Sequence, residues 1–316
     1  STIVADLRVI VPGEGVVDAT NEMRAFESDG LTAYQQLPLV VVLPETVTQV
    51  SRILKYCNEH NIRVVPRGSG TSLSGGALPL EDAVLLVLSR FNRILEIDYP
   101  NRAVVAQPGV TNLGITNAVE QEGFYYAPDP SSQIACSIGG NVAENSGGVH
   151  CLKYGLTVHN VLKVKGFTME GDEVEFGSDA LDASGYDLLS VIIGSEGMLA
   201  VTTEVTVKLI PKPQLARCIM ASFDDIREAG DAVAAVIAAG IIPAGLEMMD
   251  KPMTAAVEDY VHAGYDLSAA AILLCESDGT PEEVEEEIGR MSTVLRQFGA
   301  TAITVSQNED ERLRFW

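Results

Sequence analysis

A loop rich in glycine and hydroxyl side chains separates two apolar runs early in the chain, in the stretch VVPRGSGTSLSGGALP at residues 64–79. Its small residues are Gly68, Ser69, Gly70, Thr71, Ser72, Ser74, Gly75 and Gly76. Because glycine has no Cβ, it lets the backbone approach another group closely. The apolar runs on either side predict two buried strands. The stretch therefore predicts a strand, a loop shaped to contact a ligand, and a second strand.

Neither of the two common phosphate-binding motifs fits this loop. A Walker A motif needs a lysine directly after its last glycine, and Gly76 occupies that position after Gly75. A dinucleotide-binding GxGxxG fingerprint needs a third glycine where Leu73 stands, and no helical pattern follows it. A nucleotide hydrolase of the P-loop kind is therefore disfavoured.

Backbone N–H groups remain as the main donors of the loop. Successive N–H groups can form a concave nest that binds an anion without basic side chains. Arg67 is the only cation of the loop and can add a charge-assisted hydrogen bond to a phosphate. A pyrophosphate held in this way is compatible with the net charge of −23. The alternative is a long turn that only joins two strands.

A second glycine-rich stretch extends from Tyr126 to Gly155 and reads YAPDPSSQIACSIGGNVAENSGGVHCLKYG. It combines short polar residues with apolar positions at Ile134, Ile138, Val142 and Ala143. Such a surface suits a planar, largely apolar ring with polar edges. Two loops of this kind, far apart in sequence, favour one long ligand that contacts both. A flavin dinucleotide fits this description better than a simple nucleotide.

The charge balance and the cysteines exclude several classes of partner. The chain has 44 acidic and 21 basic residues, which disfavours nucleic acid and direct binding to anionic lipid. The five cysteines form no CxxC pair, so neither a metal site nor an iron–sulfur motif is predicted. No apolar run reaches the roughly 18 residues that span a bilayer, and the first residues carry no secretory signal pattern. We therefore expect reduced thiols and a cytoplasmic location.

Secondary-structure signals divide the chain near Pro211–Pro213. Before this point, strand patterns such as LVVVL, RVV and AVLLVLS accompany a helix whose capping box pairs Thr46 with Gln49. A hairpin is predicted at residues 170–172, and VIIGSEGMLAVTTEVTVKLIP predicts a strand, a glycine turn and a long strand. Later strands alternate with helices, one of them starting at Thr280, as in a ferredoxin-like sandwich. The predicted fold class is α+β, without the regular repeats of a doubly wound sheet.

Four long motifs carry a resemblance to a known family. They are PRGSGTSLSGGALP, YYAPDPSSQIACSIGGNVAENSGGVHCLKYGLTVHN, GSEGMLAVTTEVTVKL and GIIPAGLEMMD. Together they closely resemble the FAD-binding subunits of bacterial glycolate oxidases, in the vanillyl-alcohol-oxidase-like family of PCMH-type FAD proteins. That family includes D-lactate and D-2-hydroxyglutarate dehydrogenases. The resemblance extends over essentially the whole chain and implies two α+β subdomains that hold FAD, followed by a cap domain.

The resemblance also implies domain boundaries and an FAD site. The implied parts are an N-terminal segment at 1–34, a PCMH-type FAD-binding domain at 35–212 and a partial, ferredoxin-like cap domain at 213–316. The residues implied to bind FAD are Pro66, Arg67, Gly68, Ser69, Gly70, Thr71, Ser72, Gly75 and Gly76 around the pyrophosphate; Pro130, Ser131, Ser132, Gly139, Gly140, Asn141, Ser146, Gly147 and Gly148 along the flavin; and Glu196, Gly197 and Val201 in a late strand. Because the first loop has neither histidine nor cysteine, non-covalent FAD is expected.

The implied activity is FAD-dependent oxidation of a 2-hydroxy acid, glycolate or D-lactate, to the 2-oxo acid. Implied partners are a second flavin-type subunit and an iron–sulfur subunit, which would bring a cytoplasmic complex to the periphery of the inner membrane. Relatives continue into His-rich motifs on the substrate side, and His60, His150, His159 and His262 stand in none of these. No catalytic residue is therefore assigned, and the natural protein is expected to continue past Trp316. The alternative is an FAD-binding fragment without turnover.

Overall fold

A computed structural model describes residues 2–180 and 185–316. The helices are α1 (Thr2–Ile10), α2 (Thr20–Met23), α3 (Val47–Glu59), α4 (Asn112–Val119), α5 (Ile138–Glu144), α6 (Cys151–Tyr154), α7 (Thr157–Asn160), α8 (Leu188–Ile192), α9 (Ile226–Ala238), α10 (Lys251–Val261), α11 (Pro281–Gln297) and α12 (Glu309–Phe315). The strands are β1 (Val16–Val17), β2 (Val40–Val42), β3 (Arg63–Arg67), β4 (Ala83–Val87), β5 (Ile94–Asp98), β6 (Ala103–Ala106), β7 (Phe124–Tyr125), β8 (Val161–Phe167), β9 (Glu173–Gly177), β10 (Val201–Lys208), β11 (Ile210–Pro211), β12 (Leu215–Phe223), β13 (Gly245–Asp250), β14 (Ala271–Gly279) and β15 (Ala300–Val305). Short 3₁₀ turns lie at Arg24–Phe26 and Glu120–Glu122.

The chain packs as two units. Unit 1 consists of the residues up to Gly148 together with Leu156–Pro211. Unit 2 consists of Val149–Gly155 together with Lys212–Trp316. A short segment from the second glycine-rich stretch therefore packs with the C-terminal residues, which no local sequence signal indicated.

The first sheet of unit 1 has the strand order β1-β2-β4-β3, in which β2 and β3 both run parallel to β4. Strand β4 is buried at every position, as expected for a central parallel strand. Helix α3 adds Val50, Ile53, Leu54 and Cys57 to the core of this sheet, and its predicted capping box is confirmed. The glycine-rich loop leaves the carboxyl end of β3, which is where open sheets with parallel strands tend to bind ligands.

The second sheet of unit 1 is antiparallel, in the order β5-β6-β10-β8-β9. Helices α4 and α5 share its core through Ile115, Val119, Ile138 and Val142, each fully buried. The predicted hairpin is confirmed between β8 and β9, where the Thr168 amide bonds to the Asp172 carbonyl. This sheet supports α5, from which the second glycine-rich stretch continues.

The strand predicted at VIIG is wrong, because these residues end helix α8. Asp187 precedes the helix, and its carboxylate accepts a hydrogen bond from the Ser190 amide at 3.1 Å. A short carboxylate at this position satisfies a free N–H of the first turn and favours a helix start. The apolar residues 191–193 have the composition of a buried strand, but the cap at Asp187 starts a helix here.

Unit 2 is built on an antiparallel sheet in the order β13-β14-β12-β15. The first strand of this unit, β12, is central and pairs with both β14 and β15, which is the ferredoxin-like order. Helices α9 and α11 cover the sheet, with Val236, Val284 and Met291 in its core. The predicted α+β class is thus confirmed. Over the described ranges, no helix has both the length and the apolar character needed to cross a membrane.

A buried carboxylate organises one side of the unit 2 sheet. Glu276 on β14 is 2% exposed and accepts hydrogen bonds from His150 at 2.9 Å, from Arg312 at 2.6 Å and from the Trp316 indole. Burial by itself would raise the pKa of Glu276, but hydrogen bonding to His150 and the charge of Arg312 lower it overall. Glu276 is therefore a buried anion whose three partners come from two separate segments of unit 2, residues 149–155 and the C-terminal residues around α12.

Candidate functional site

A cavity of about 490 Å³ lies within unit 1, bounded by the loop after β3, the start of α5 and the turn before β10. This volume is in the range of small-molecule sites. The predicted residues that line it are Pro66, Arg67, Gly68, Ser69, Gly70, Thr71, Ser72, Gly76, Pro130, Ser131, Ser132, Gly139, Gly140, Asn141, Ser146, Gly147, Glu196, Gly197 and Val201. The fold therefore brings three sequence stretches, at residues 66–76, 130–147 and 196–201, around one cavity.

Gly75 and Gly148 are absent from this lining. The Gly75 amide donates to the Asp29 carboxylate at 2.9 Å, and its φ is +83°, so it shapes the turn behind the cavity. Gly148 lies against the backbone of Asp129, where an added Cβ would collide with the Asp129 carbonyl. Both glycines are therefore placed to support the walls of the cavity.

The loop after β3 presents backbone donors to the cavity. The amides of Ser69, Gly70 and Thr71 have no hydrogen-bond partner anywhere in residues 2–180 or 185–316. The Ser72 carbonyl accepts from the Gly30 amide at 2.8 Å, which fixes the orientation of the loop. Gly70 has a φ of +69°, in the region that glycine adopts without strain. These N–H groups are available to a ligand with acceptor oxygens.

Arg67 holds the loop in place from behind. Its side chain is buried, with the residue 9% exposed, and Nη1 donates to the carbonyls of Ser28 at 2.8 Å and Ala77 at 3.2 Å. The guanidinium also lies 5.9 Å from the centre of the Phe26 ring. Burial lowers the pKa of Arg67, and Asp29 opposes that effect. The sequence predicts a phosphate as the partner of this cation, and that contact stays a prediction; in the structure, Nη1 is bound to backbone carbonyls.

The start of α5 forms a second wall. Ser137 caps this helix, since its Oγ accepts from the Gly140 amide at 3.3 Å. Gly68 and Gly139 let backbone segments pack closely here, because an added Cβ would collide with Ser137 and Pro108 respectively. Asn141 is 1% exposed, and its Nδ2 has no partner among the described residues. A buried amide without a partner is costly unless a ligand or water satisfies it.

The turn at residues 194–197 forms the third wall. It is tied to the end of α5 by hydrogen bonds from the Gly194 amide to Val142 and from the Glu196 amide to Ala143, at 2.8 and 2.9 Å. Gly197 has a φ of +72° and packs on Pro66, which leaves no room for a Cβ. The turn thereby joins the loop after β3 to the second glycine-rich stretch.

Sequence reasoning missed several lining residues, among them Gly30, Ser74, Ser137 and Glu144. The pattern Ser137-x-x-Gly140 at a helix start could have indicated Ser137 as a cap, but Glu144 had no local signal. Of the apolar positions proposed as a ring surface, Val142 and Ala143 line the cavity. The other two do not, since Ile138 is core and Ile134 is 76% exposed.

Two further features limit the chemistry of the cavity. Cys136 lines it but is 5% exposed, and burial raises the pKa of its thiol. A thiol with a raised pKa is a weak nucleophile at neutral pH. Within residues 2–180 and 185–316, no group of three or more His, Cys, Asp or Glu side chains is arranged to hold a metal ion.

Comparison with known proteins identifies relatives of the chain. Two family models match it: an FAD binding domain at residues 38–177 and the C-terminal domain of FAD linked oxidases at residues 212–316. The chain is 56% identical over 316 residues to glycolate oxidase subunit GlcD of Escherichia coli (strain K12), and 41% identical over 303 residues to that of Bacillus subtilis (strain 168). It is 32% identical over 310 residues to a D-lactate dehydrogenase of Anaerostipes hadrus.

The matches cover 100%, 95% and 95% of this chain, which spans 63%, 64% and 65% of the length of these three relatives. Among solved structures, p-cresol methylhydroxylase with substrate bound aligns with a TM-score of 0.84 at 18% identity, over 99% of this chain and 68% of that one. Alkyldihydroxyacetonephosphate synthase aligns at 0.81 and 19% identity, over 99% and 62%. These two structures support the fold. The chain belongs to the FAD-linked oxidases, with an FAD-binding domain followed by the C-terminal domain of that family.

Proposed function

We propose that this chain holds FAD non-covalently in the unit 1 cavity and serves the oxidation of a 2-hydroxy acid, glycolate or D-lactate, to the 2-oxo acid. The observation that carries the proposal is 56% identity along the whole chain to a glycolate oxidase subunit. The D-lactate dehydrogenase among the relatives supports the wider substrate class. The cavity lined by three glycine-rich stretches supplies a place for the cofactor.

The residues of the cavity fit a dinucleotide. The free amides of Ser69, Gly70 and Thr71 would hold the pyrophosphate through backbone dipoles, without a cationic side chain. Gly197 and its neighbours provide the close backbone approach that such a ligand requires.

Bound FAD supplies the oxidation chemistry, and the protein contributes position and electrostatics. Oxidation of a 2-hydroxy acid also needs a base for the hydroxyl proton and a cation for the carboxylate. Among the described residues that line the cavity, Arg67 is the only cation, and its Nη1 is already bound to carbonyls. We therefore leave the base and the carboxylate-binding group unassigned on this chain.

Non-covalent attachment is supported by the side chains that face the cavity. Its lining in the described ranges contains no histidine and one cysteine, Cys136. The thiol of Cys136 is buried, and its raised pKa keeps it protonated at neutral pH. Denaturation of FAD-loaded protein with acid is therefore expected to release the whole flavin into the supernatant.

Two of the relatives are subunits of glycolate oxidase, so a multi-subunit complex is part of this proposal. We propose a second flavin-type subunit and an iron–sulfur subunit as electron acceptors, in a cytoplasmic complex at the periphery of the inner membrane. The wide spacing of the five cysteines is compatible with clusters on another chain. Co-purification of the chain from its source, followed by iron and flavin analysis, tests this arrangement.

Anaerobic addition of glycolate or D-lactate to the FAD-loaded chain is expected to bleach the visible flavin absorbance. L-Lactate is the matched control, since it differs from D-lactate only in the configuration at the reacting carbon, and it should leave the spectrum unchanged. Bound flavin that stays oxidised at saturating glycolate and D-lactate would refute turnover by this chain and support the alternative of an FAD-holding fragment. Because family models match both parts of the chain, that alternative is the less favoured one.

A further inference from the structure

Two carboxylates line the cavity in which an anionic cofactor is proposed to bind. Glu144 ends α5, and Glu196 lies in the turn at 194–197. A Cβ added to Gly76 would lie 3.5 Å from a carboxylate oxygen of Glu144 and 3.4 Å from one of Glu196, so the two groups converge on one point of the loop. The function proposed above gives no role to either carboxylate as an acceptor.

The backbone holds these two side chains side by side. Glu196 has a φ of +52°, a left-handed conformation that is unusual for a residue with a Cβ. Its amide bonds to Ala143, the residue before Glu144, at 2.9 Å. Strained backbone that surrounding contacts maintain is typical of functional sites. The conformation of Glu196 therefore makes its side chain a candidate functional group.

The partners of the two carboxylates differ. Glu144 accepts hydrogen bonds from the hydroxyls of Ser72 at 2.8 Å and Ser74 at 3.0 Å. The Glu196 carboxylate has no hydrogen bond or ion pair to any residue that the structure describes. One carboxylate is therefore already bound to hydroxyl groups, and the adjacent one is available to a ligand.

A pair of carboxylates favours contact with the hydroxyl groups of the cofactor over contact with its pyrophosphate. Two negative groups beside a pyrophosphate repel it, whereas they accept strong hydrogen bonds from hydroxyl groups. FAD carries hydroxyls on its ribityl chain and on its ribose, and acidic side chains bind the ribose hydroxyls of dinucleotides in other folds. The pyrophosphate would then lie at the amides of Ser69–Thr71, and the hydroxyls at the carboxylates.

We propose that Glu196, supported by Glu144, accepts hydrogen bonds from vicinal hydroxyl groups of FAD and thereby sets the direction in which the cofactor lies in the cavity. This inference rests on the proposed function, because it requires FAD in this cavity. The free backbone amides of Ser69, Gly70 and Thr71 in the same lining independently indicate a polar ligand there. The two sources of the hydroxyls, ribityl and ribose, are distinguished by experiment.

The test compares dissociation constants of the wild-type chain with those of Glu196→Gln and Glu144→Gln, using FAD, riboflavin and ADP as separate ligands. Glutamine keeps the size of the side chain and removes its charge. Glu96→Gln is the matched control, since Glu96 is exposed on β5 and lies outside the cavity lining. Quenching of flavin fluorescence reports binding of FAD and riboflavin, calorimetry reports binding of ADP, and circular dichroism reports folding.

We expect Glu196→Gln to weaken FAD binding about tenfold, which corresponds to one lost charge-assisted hydrogen bond, with the control unchanged. A parallel loss for riboflavin identifies the ribityl hydroxyls, and a parallel loss for ADP identifies the ribose hydroxyls. FAD binding that is equal or tighter in both folded variants overturns the inference, because the carboxylates would then be neutral or repulsive. A wild-type chain that binds no FAD refutes the proposed function itself.

Discussion

Exchange of Gly70 for valine is expected to lower the affinity of the chain for FAD at least a hundredfold. Gly70 has a φ of +69°, which a β-branched residue adopts only with strain. An added Cβ would also lie 2.9 Å from Nε of Arg67 and closer still to the rest of the guanidinium. Since Arg67 is held by backbone carbonyls, the loop must move instead, and its free amides are displaced with it.

Gly123→Val is the matched control for this variant. Gly123 has a similar φ of +77°, belongs to the same unit, and has open space where a Cβ would be placed. Both variants carry backbone strain of about 1–2 kcal/mol, but only one of them alters the cavity. Equal FAD affinity in the two variants, measured by quenching of flavin fluorescence, would show that the loop does not bind the cofactor.

Exchange of Arg312 for methionine is expected to lower the free energy of unfolding of unit 2 by about 3–5 kcal/mol, because it leaves a buried carboxylate without its main counter-charge. Arg312 donates to Glu276 at 2.6 Å and to Glu309 at 2.7 Å, and it is mostly buried. Hydrogen bonding to Glu309 and the charge of Glu276 raise the pKa of Arg312 above its ordinary value. His150 and the Trp316 indole would remain as the only partners of the Glu276 carboxylate in the described structure.

Trp316 makes this measurement specific to unit 2. It is the only tryptophan of the chain, and its indole donates to Glu276, so its fluorescence during urea unfolding reports the network directly. Arg314→Met is the control, since Arg314 is exposed on the same helix. We expect Glu276→Met combined with Arg312→Met to recover most of the loss, because no buried charge then remains. A loss below about 1 kcal/mol for the single variant would show that Glu276 does not depend on Arg312.

Local sequence patterns predicted those features of the fold that local physics determines. The capping boxes at Thr46 and Thr280 mark the starts of α3 and α11, as predicted. The hairpin at 170–172 follows from a glycine with positive φ between two strands. The apolar composition of VIIG favours a strand, but the cap at Asp187 starts a helix there, so the predicted strand is wrong.

Long-range packing explains what the sequence did not predict. Residues 149–155 join unit 2 because His150, Lys153 and Tyr154 contact acidic residues of β14 more than 120 positions later. Glu144 and Glu196 converge because backbone amides tie the turn at 194–197 to the end of α5. Neither pairing leaves a periodic or motif signal within one segment, so only the assembled fold shows it.

The glycine-rich stretches of the site could be recognised because glycine indicates close backbone approach or a positive φ. Close approach and positive φ restrict Gly70 and Gly197 to a residue without a Cβ, and both line the cavity. The contact of Arg67 with the Ser28 carbonyl joins residues far apart in sequence, so a lone cation in a predicted anion site gives no local signal for it. The assignment of the predicted site residues to FAD stays a prediction until the bound cofactor is observed.

A crystal structure of the chain with FAD tests the central claim most directly. We predict pyrophosphate oxygens at hydrogen-bond distance, about 2.7–3.2 Å, from the amides of Ser69, Gly70 and Thr71, with the cofactor in the cavity of unit 1. FAD bound elsewhere, or bound in this cavity with its pyrophosphate away from these three amides, would contradict the account.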